Sequence, residues 1–554
     1  VVIVMTIRVP SIRHSPSQAG SGSRTSYDCA VLNTGCQAFA GGEHVELRGD
    51  RPAARLRRRR AVSTLPASSL LWVSGRCAVY RWVSQLSRVV LKDIVPCRRL
   101  GCRVSFRLFV WVFHPGGSSV AEVLPNPCEI AVVDSDGDRT VSNQVVVEKH
   151  TKLFVWTATG FVVAAAACHL FVTLVLYPTA IYWMTYYVPN YEFGFVRRGL
   201  GGALIHMLPD ADYFTAAYTM MWAPAVVWVI TLAVLISLIL SSGEKSARRV
   251  MLAILVPVLP FAFSYAVYTP RPELYAMSAL VVLCIALTRL RSDRSMLIVS
   301  AVYGVTIAVL ALVHEGIPLE VALGALLALS VLPALGPAQR RLCAVAAVGP
   351  GLLAVLAIAA FSRHDVGAQV CHQTPHRQID NPYSAASNMT DGTAYLAGRI
   401  PITTDFHDWV CKLEPSILDA RLTDGLHKVG TFGVGPLLAS FIVGVLYFAV
   451  SIWVTQSFSG VRFSTLLAEL RGKLTAPVLG LAAMVPLFMT AVDWTRWWVL
   501  ITFNVALVCI LYTITRPEID QPTNRHHVRI FLCVIAALAV IPTGAALHIG
   551  GPNF

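Results

Sequence analysis

The chain has 554 residues, 55% of them apolar and 14% charged, with mean hydropathy +0.61 and a formal net charge of +14. Soluble globular proteins carry roughly 25% charged residues, so the composition excludes a string of water-soluble domains and indicates an integral membrane protein. The basic excess is uneven: residues 1–150 hold 20 Lys+Arg against 11 Asp+Glu, and residues 151–554 hold 25 against 20.

Residues 1–130 show neither helical nor strand periodicity over any useful length. Arg57, Arg58, Arg59 and Arg60 form a basic cluster, and Cys29, Cys36, Cys77, Cys97, Cys102 and Cys128 follow no metal-binding spacing. The longest apolar run, Leu108–Phe113, is far short of the ~20 residues a membrane span needs. No signal-peptide core stands near residue 1, and without a DNA-binding motif the arginines do not argue for nucleic acid. Residues 1–145 are therefore expected to be a disordered or spurious extension, with the native start near Val132, Val133 or Val141. N-terminal sequencing of the native protein checks this.

From Leu153 onward the expected fold is all-α and polytopic, a membrane domain over residues 146–554. Apolar runs long enough to cross a ~30 Å hydrocarbon layer lie near 153–177, 219–240, 250–268, 274–289, 296–313, 317–335, 342–361, 434–455, 474–492, 498–514 and 530–548. That predicts about eleven transmembrane helices. Between the first two, Val196, Leu200, Leu204 and Leu208 recur every four residues, with Arg197 and Arg198 off the stripe. This predicts a short interfacial helix in the first loop.

Alternate short loops differ in charge. One set holds Lys149, Lys152, Lys245, Arg248, Arg249, Arg289, Arg291, Arg294, Arg340, Arg341, Arg462, Arg471, Lys473, Arg516, Arg525 and Arg529; the other holds only Arg197, Arg198, Arg271 and Arg496. By the positive-inside rule the first set is cytoplasmic, which puts loop 362–433 outside. Its two cysteines, Cys371 and Cys411, are disulfide candidates in an oxidising compartment. His364, Asp365, His372, His376 and Asp380 match no metal pattern and read as solvated loop residues. No metal site is assigned, and a divalent metal is left open. Inside the spans ionisable residues are scarce, His169 and Glu320 being the exceptions, which argues against a coupled pump or transporter.

The polar chemistry concentrates on the outward side. Glu192, Arg197 and Arg198 with Gly199, Gly201 and Gly202 lie in the first loop, followed by Asp210 and Asp212. Further along come Arg271 and Glu273, then His314 and Glu315, then Asp493 and Arg496. Each has a plainer reading: the arginines snorkel to headgroups, the aspartates cap a helix, and the Arg–carboxylate neighbours pair with one another. Convergence on one face makes the functional reading stronger than any single loop does. Carboxylates beside arginines at headgroup depth suit a lipid-linked phosphate, because arginine forks a phosphate and a carboxylate takes a hydroxyl proton.

With that layout, residues 150–554 resemble the polytopic GT-C class of glycosyltransferases, which use polyprenyl-phosphate sugars on the outer side of the membrane. The resemblance implies a first-loop carboxylate as base, here Glu192 with Asp210 and Asp212 as rivals. Arg197, Arg198, Arg271 and Arg496 would hold the phosphate, with His314 and Glu315 orienting or protonating and Glu273 and Asp493 in support. It departs from that class in having no paired acidic motif directly after the first span and no sizeable C-terminal soluble domain. The expectation is a plasma-membrane glycosyltransferase acting on an envelope glycan or lipid acceptor, with an anionic lipid-linked sugar as partner. A lipid-linked glycan polymerase or ligase is the nearest alternative. A transporter or flippase of an anionic lipid, and a membrane scaffold whose charges merely satisfy one another, are the others.

Overall fold

The computed structural model describes residues 2–7, 106–114, 117–122, 139–179, 181–244, 246–382 and 389–543. It divides into two units, Val1–Gly137 and Asp138–Phe554. In the first, β1 (Val2–Ile7), β2 (Phe106–His114) and β3 (Gly117–Glu122) make an antiparallel sheet of order β1-β2-β3, with Val2 opposite Trp111 and Phe109 opposite Glu122. The sequence shows no strand periodicity in residues 1–130, and these strands form without it. The run around Leu108–Phe113 is continuous rather than alternating, so aromatic and β-branched content, not periodicity, was its signal. The rest of the expected 1–145 extension lies mostly outside the described residues, as do Lys245 and the last predicted span beyond residue 543.

The second unit is helical. Its elements begin with α1 (Arg139–Phe171), a 3-10 stretch Ile181–Tyr187, α2 (Gly199–His206) and α3 (Tyr213–Ser241). There follow α4 (Ala247–Leu255), α5 (Phe263–Tyr268), α6 (Glu273–Arg289), α7 (Asp293–Ala311), α8 (Ile317–Val331) and α9 (Pro337–Phe361). The long connection holds α10 (Gly367–His372), β4 (Gln378–Asp380), α11 (Met389–Leu396), β5 (Thr403–Asp405), α12 (Phe406–Leu418) and α13 (Leu422–Phe432). The chain ends with α14 (Val434–Ser459), α15 (Phe463–Glu469), α16 (Thr475–Ala482), α17 (Val485–Thr490), α18 (Trp494–Thr513) and α19 (Arg525–Val540).

Every predicted apolar run overlaps helix among the described residues, and seven stretches among them have the length and apolarity to cross a membrane: Leu153–Leu176, Asp210–Ser241, Ala247–Tyr268, Asp293–Ala311, Pro337–Phe361, Val434–Ser459 and Trp494–Thr513. The run 474–492 is broken at Ala483–Met484 into α16 and α17, and α6, α8 and α19 are shorter than 18 residues. Large apolar side chains stay bare on the outward faces of these helices, among them Val302, Val305 and Val309 of α7 and Val345, Leu353 and Leu356 of α9. An apolar belt of this kind is what hydrocarbon covers.

The bundle is built around α8, which is buried on all sides and packs against α6, α7, α9, α16 and α18. Asn504 of α18 ties the pair together, donating from Nδ2 to the carbonyl of Glu320 at 2.8 Å. A second, smaller core joins the 3-10 stretch, the start of α3 and the long connection through Trp183, Tyr187, Tyr213, Val370, Phe406 and Val410. The Cys371–Cys411 disulfide clamps α10 to α12 beside that core.

Helix α2 falls where a short first-loop helix was expected. Its packed side is not the leucine stripe but Gly199, Gly201, Gly202 and Ile205, while Leu204 and Leu208 lie exposed. A Cβ at Gly202 would collide with the carbonyls of Val188 and Pro189, so the glycines allow the backbones to touch and leave the leucines facing away from the protein.

Candidate functional site

The turn His314-Glu315-Gly316 closes α7 and opens α8: the His314 amide donates to Leu310 and the Glu320 amide to Gly316. Pro318 in the first turn of α8 suits this start. Three functional groups are thereby placed within one reversal of the chain. Glu273 is the first residue of α6 and Glu320 sits in the first turn of α8, where the positive end of a helix favours a carboxylate. Arg496 occupies the first turn of α18, and Arg271 stands two residues before the start of α6, next to its N-cap Pro272. Four helix ends thus bring their charges to one end of the bundle.

Two sub-sites result. In the first, Arg198 donates from Nε and Nη2 to the two oxygens of Glu315, both at 2.9 Å, a bidentate pair. Arg197 stands 3.9 Å from the same carboxylate. Burial alone would raise the Glu315 carboxyl, but Arg198, His314 and Arg197 outweigh it and hold it well below the usual carboxylate range. The backbone of Arg198 is left-handed, with φ 62°, a conformation costly for a residue with a Cβ.

The second sub-site is deeper. Arg271 and Arg496 each approach Glu273 Oε1 at 3.9 Å, beyond hydrogen-bond distance, and Arg496 also meets Asp493 at 3.2 Å. Their guanidinium faces are covered by Trp183, 4.2 Å from Arg271, and Trp497, 3.8 Å from Arg496, contacts that hold a cation without using its N–H groups. Glu273 is 1% exposed and Glu320 0%, yet no oxygen of either carboxylate accepts a hydrogen bond among the described residues. Arg271 Nε and Nη1, Arg496 Nε, His314 Nδ1 and Tyr265 Oη likewise have no hydrogen-bond partner among them. Burial, and after it the nearby Arg198 and Arg271, keep the His314 imidazole below its ordinary pKa against the pull of Glu273 and Glu315. Its face rests on Tyr186 at 5.2 Å.

The sequence-predicted residues therefore separate. Arg197, Arg198, Arg271, Glu273, His314, Glu315, Asp493 and Arg496 come together. Glu192 bonds elsewhere: it is exposed, accepts a hydrogen bond from Gln373 of the long connection, and its amide donates to Asn190. Asp210 and Asp212 are exposed in a single 3-10 turn before α3, with no side-chain cap bond at that turn. Arg198, assigned from sequence to a phosphate, is instead engaged by Glu315. Of the loop residues weighed as metal ligands, His376 alone falls in a cluster of ligand type, with Asp405 and Asp408 at the surface. Sequence reading missed Trp183 and did not assign Glu320 to the site. For Glu320 the signal was present: an ionisable residue inside an apolar run.

Fold and site define a polytopic helical membrane protein with a buried charged cluster at one end of its bundle. The family model described as "Uncharacterised membrane protein Rv1490" matches residues 154–539, and the chain belongs to that family. It is 48% identical over 405 residues to the Uncharacterized protein Rv1490 of Mycobacterium tuberculosis (strain ATCC 25618 / H37Rv), covering 73% of this chain and 93% of that protein. The same identity and coverage hold for the Uncharacterized protein Mb1527 of Mycobacterium bovis (strain ATCC BAA-935 / AF2122/97). No solved structure matches.

Proposed function

We propose that this protein is a GT-C-like glycosyltransferase that moves a sugar from a polyprenyl-phosphate donor to an envelope acceptor on the outer face of the plasma membrane. In this reading all eleven apolar segments cross, the four shorter ones being shielded by neighbours, and the site end of the bundle is extracytoplasmic. The observation that carries the reading is the deeper sub-site. Arg271 and Arg496 keep N–H groups with no hydrogen-bond acceptor among the described residues, beside buried carboxylates and a buried histidine, a set of unused valences suited to an anionic group arriving from the lipid.

The chemistry is an inverting displacement. The acceptor oxygen bonds to the anomeric carbon as the bond from that carbon to the phosphate oxygen breaks, and its electron pair leaves on the prenyl phosphate. Arg271 and Arg496 stabilise that charge. The hydroxyl proton passes to Glu192, the exposed first-loop carboxylate, which Gln373 holds against the long connection. The Arg198–Glu315 pair fixes the first loop to the α7–α8 turn and carries no substrate itself.

The test offers membranes containing the protein a radiolabelled polyprenyl-phosphate sugar. Transfer should occur with the wild type and fall by about 100-fold or more in Arg271→Gln, the loss expected for removing one charge-stabilising donor. Turnover surviving Glu192→Gln combined with Asp210→Asn removes the assigned base. Labelled lipid crossing the bilayer without sugar transfer replaces the enzyme by a flippase.

A further inference from the structure

We propose that Glu273, His314 and Glu320 form a divalent-cation site at the end of the bundle. Their ligand atoms all lie within 4.8 Å of one another, and all three residues are buried. Oxygen and nitrogen ligands about 2.1 Å from a common ion stand up to about 4.2 Å apart, so small side-chain rotations close the set. Three observations beyond proximity point to a ligand. Both oxygens of Glu273 and both of Glu320 are hidden from solvent and accept no hydrogen bond among the described residues, and His314 Nδ1 is equally unused. Buried polar atoms are otherwise nearly always paired.

Gly316 supplies the second observation. A Cβ there would stand 3.1 Å from Glu320 Oε1 and 3.3 Å from His314 Nδ1, so the missing side chain is what lets those two atoms face one space. Charge supplies the third. Among the described residues Glu320 carries no ion pair and Glu273 meets its two guanidiniums only at 3.9 Å, so neither carboxylate has a hydrogen-bonded cation. A buried unpaired carboxylate is costly, and a divalent ion compensates it. Two carboxylates with one imidazole suit Zn2+ or Mn2+ better than Ca2+, and three protein ligands leave open positions for water or an anion. The cation site stands on these residues whatever the substrate.

The experiment uses the full-length protein in detergent, stripped with chelator and titrated with Mn2+, followed by electron paramagnetic resonance. One Mn2+ per chain is expected, with a nitrogen coupling in the spin-echo modulation from His314. Glu320→Gln and Glu273→Gln should each weaken binding at least tenfold, and His314→Asn should abolish the nitrogen signal. Gly316→Ala should also weaken binding, whereas His376→Ala, in the surface cluster, should leave it unchanged. Binding of Mn2+ by the wild type without nitrogen coupling overturns the proposal. So does equal binding by a monodisperse Glu273→Gln/Glu320→Gln double variant. Infrared detection of a protonated carboxyl in the wild type that Mn2+ does not displace overturns it as well, since a shared proton would then do the compensating. None of these readouts depends on sugar transfer, so the cation site and the transferase reading fail separately.

Discussion

Glu315 and Glu320 lie five residues apart on one turn and meet opposite fates. Glu315 gives both oxygens to Arg198; Glu320, more deeply buried, gives neither oxygen to any described residue. A closed pair of this kind fixes backbone, because its valences are spent. An open set stores the capacity to bind, because the surrounding fold, not the set itself, supplies the stability that holds it. Buried ion pairs often contribute little net stability, yet breaking one by removing a single partner is costly. The two sub-sites should therefore respond to substitution in opposite ways, and four substitutions probe that contrast.

The largest effect is expected at the open set. Glu320→Gln should lower sugar transfer by about 100-fold or more while leaving the melting temperature in detergent unchanged or higher, since a desolvated charge is removed. A fall in stability instead of activity would place Glu320 with the closed pair. At the closed pair the signs reverse. Arg198→Met should destabilise by about 2–3 kcal/mol by stranding Glu315, and Arg198→Met/Glu315→Leu should recover most of that. Denaturation of the four members of the cycle gives the coupling directly, and a coupling near zero would end the distinction.

Gly316→Ala separates the sub-sites by position, since its Cβ would crowd Glu320 and His314. Activity should drop about tenfold with a stability change under about 1 kcal/mol. The smallest effect is expected far from both, at the Arg249–Asp520 pair, where Arg249 Nε and Nη2 donate to the Asp520 carboxylate at 2.6 and 2.8 Å. The hydrogen bond from Arg249, above all, lowers the Asp520 pKa from 3.8. A depressed carboxylate contributes stability that is fully present above its unfolded-state value and is lost as pH falls through the folded one. Asp520→Asn should thus cost about 1–2 kcal/mol at neutral pH, with the difference in melting temperature shrinking only below pH 3.8.

Much of this was legible in the sequence. Apolar runs of adequate length marked every long helix, since lipid demands that length and that composition. The four arginines that break the charge bias, Arg197, Arg198, Arg271 and Arg496, all end beside carboxylates at the site end. Which carboxylate meets which arginine was not legible. Helix α8 is apolar all round, so no periodicity says which face turns to α18 or to α6. Glu192 and Glu320 illustrate the consequence. The loop around Glu192 makes it prominent in the sequence while the fold sets it apart from the buried cluster, whereas the apolar neighbours of Glu320 make a carboxylate of that cluster read as incidental. Trp183 was hidden for a different reason. An aromatic at the end of a span reads as an interfacial anchor, and only the folded loop turns it over Arg271.

Arg198 adds a point about how the molecule is assembled. Its left-handed backbone costs roughly 1–2 kcal/mol for an L-residue. The compensation arrives from Glu315, 117 residues later. The close neighbours of the glycines at the entrance to α2 are local: Tyr187, Val188, Pro189 and Tyr191. The loop encoded first is thus completed by a partner encoded much later, in the turn between α7 and α8.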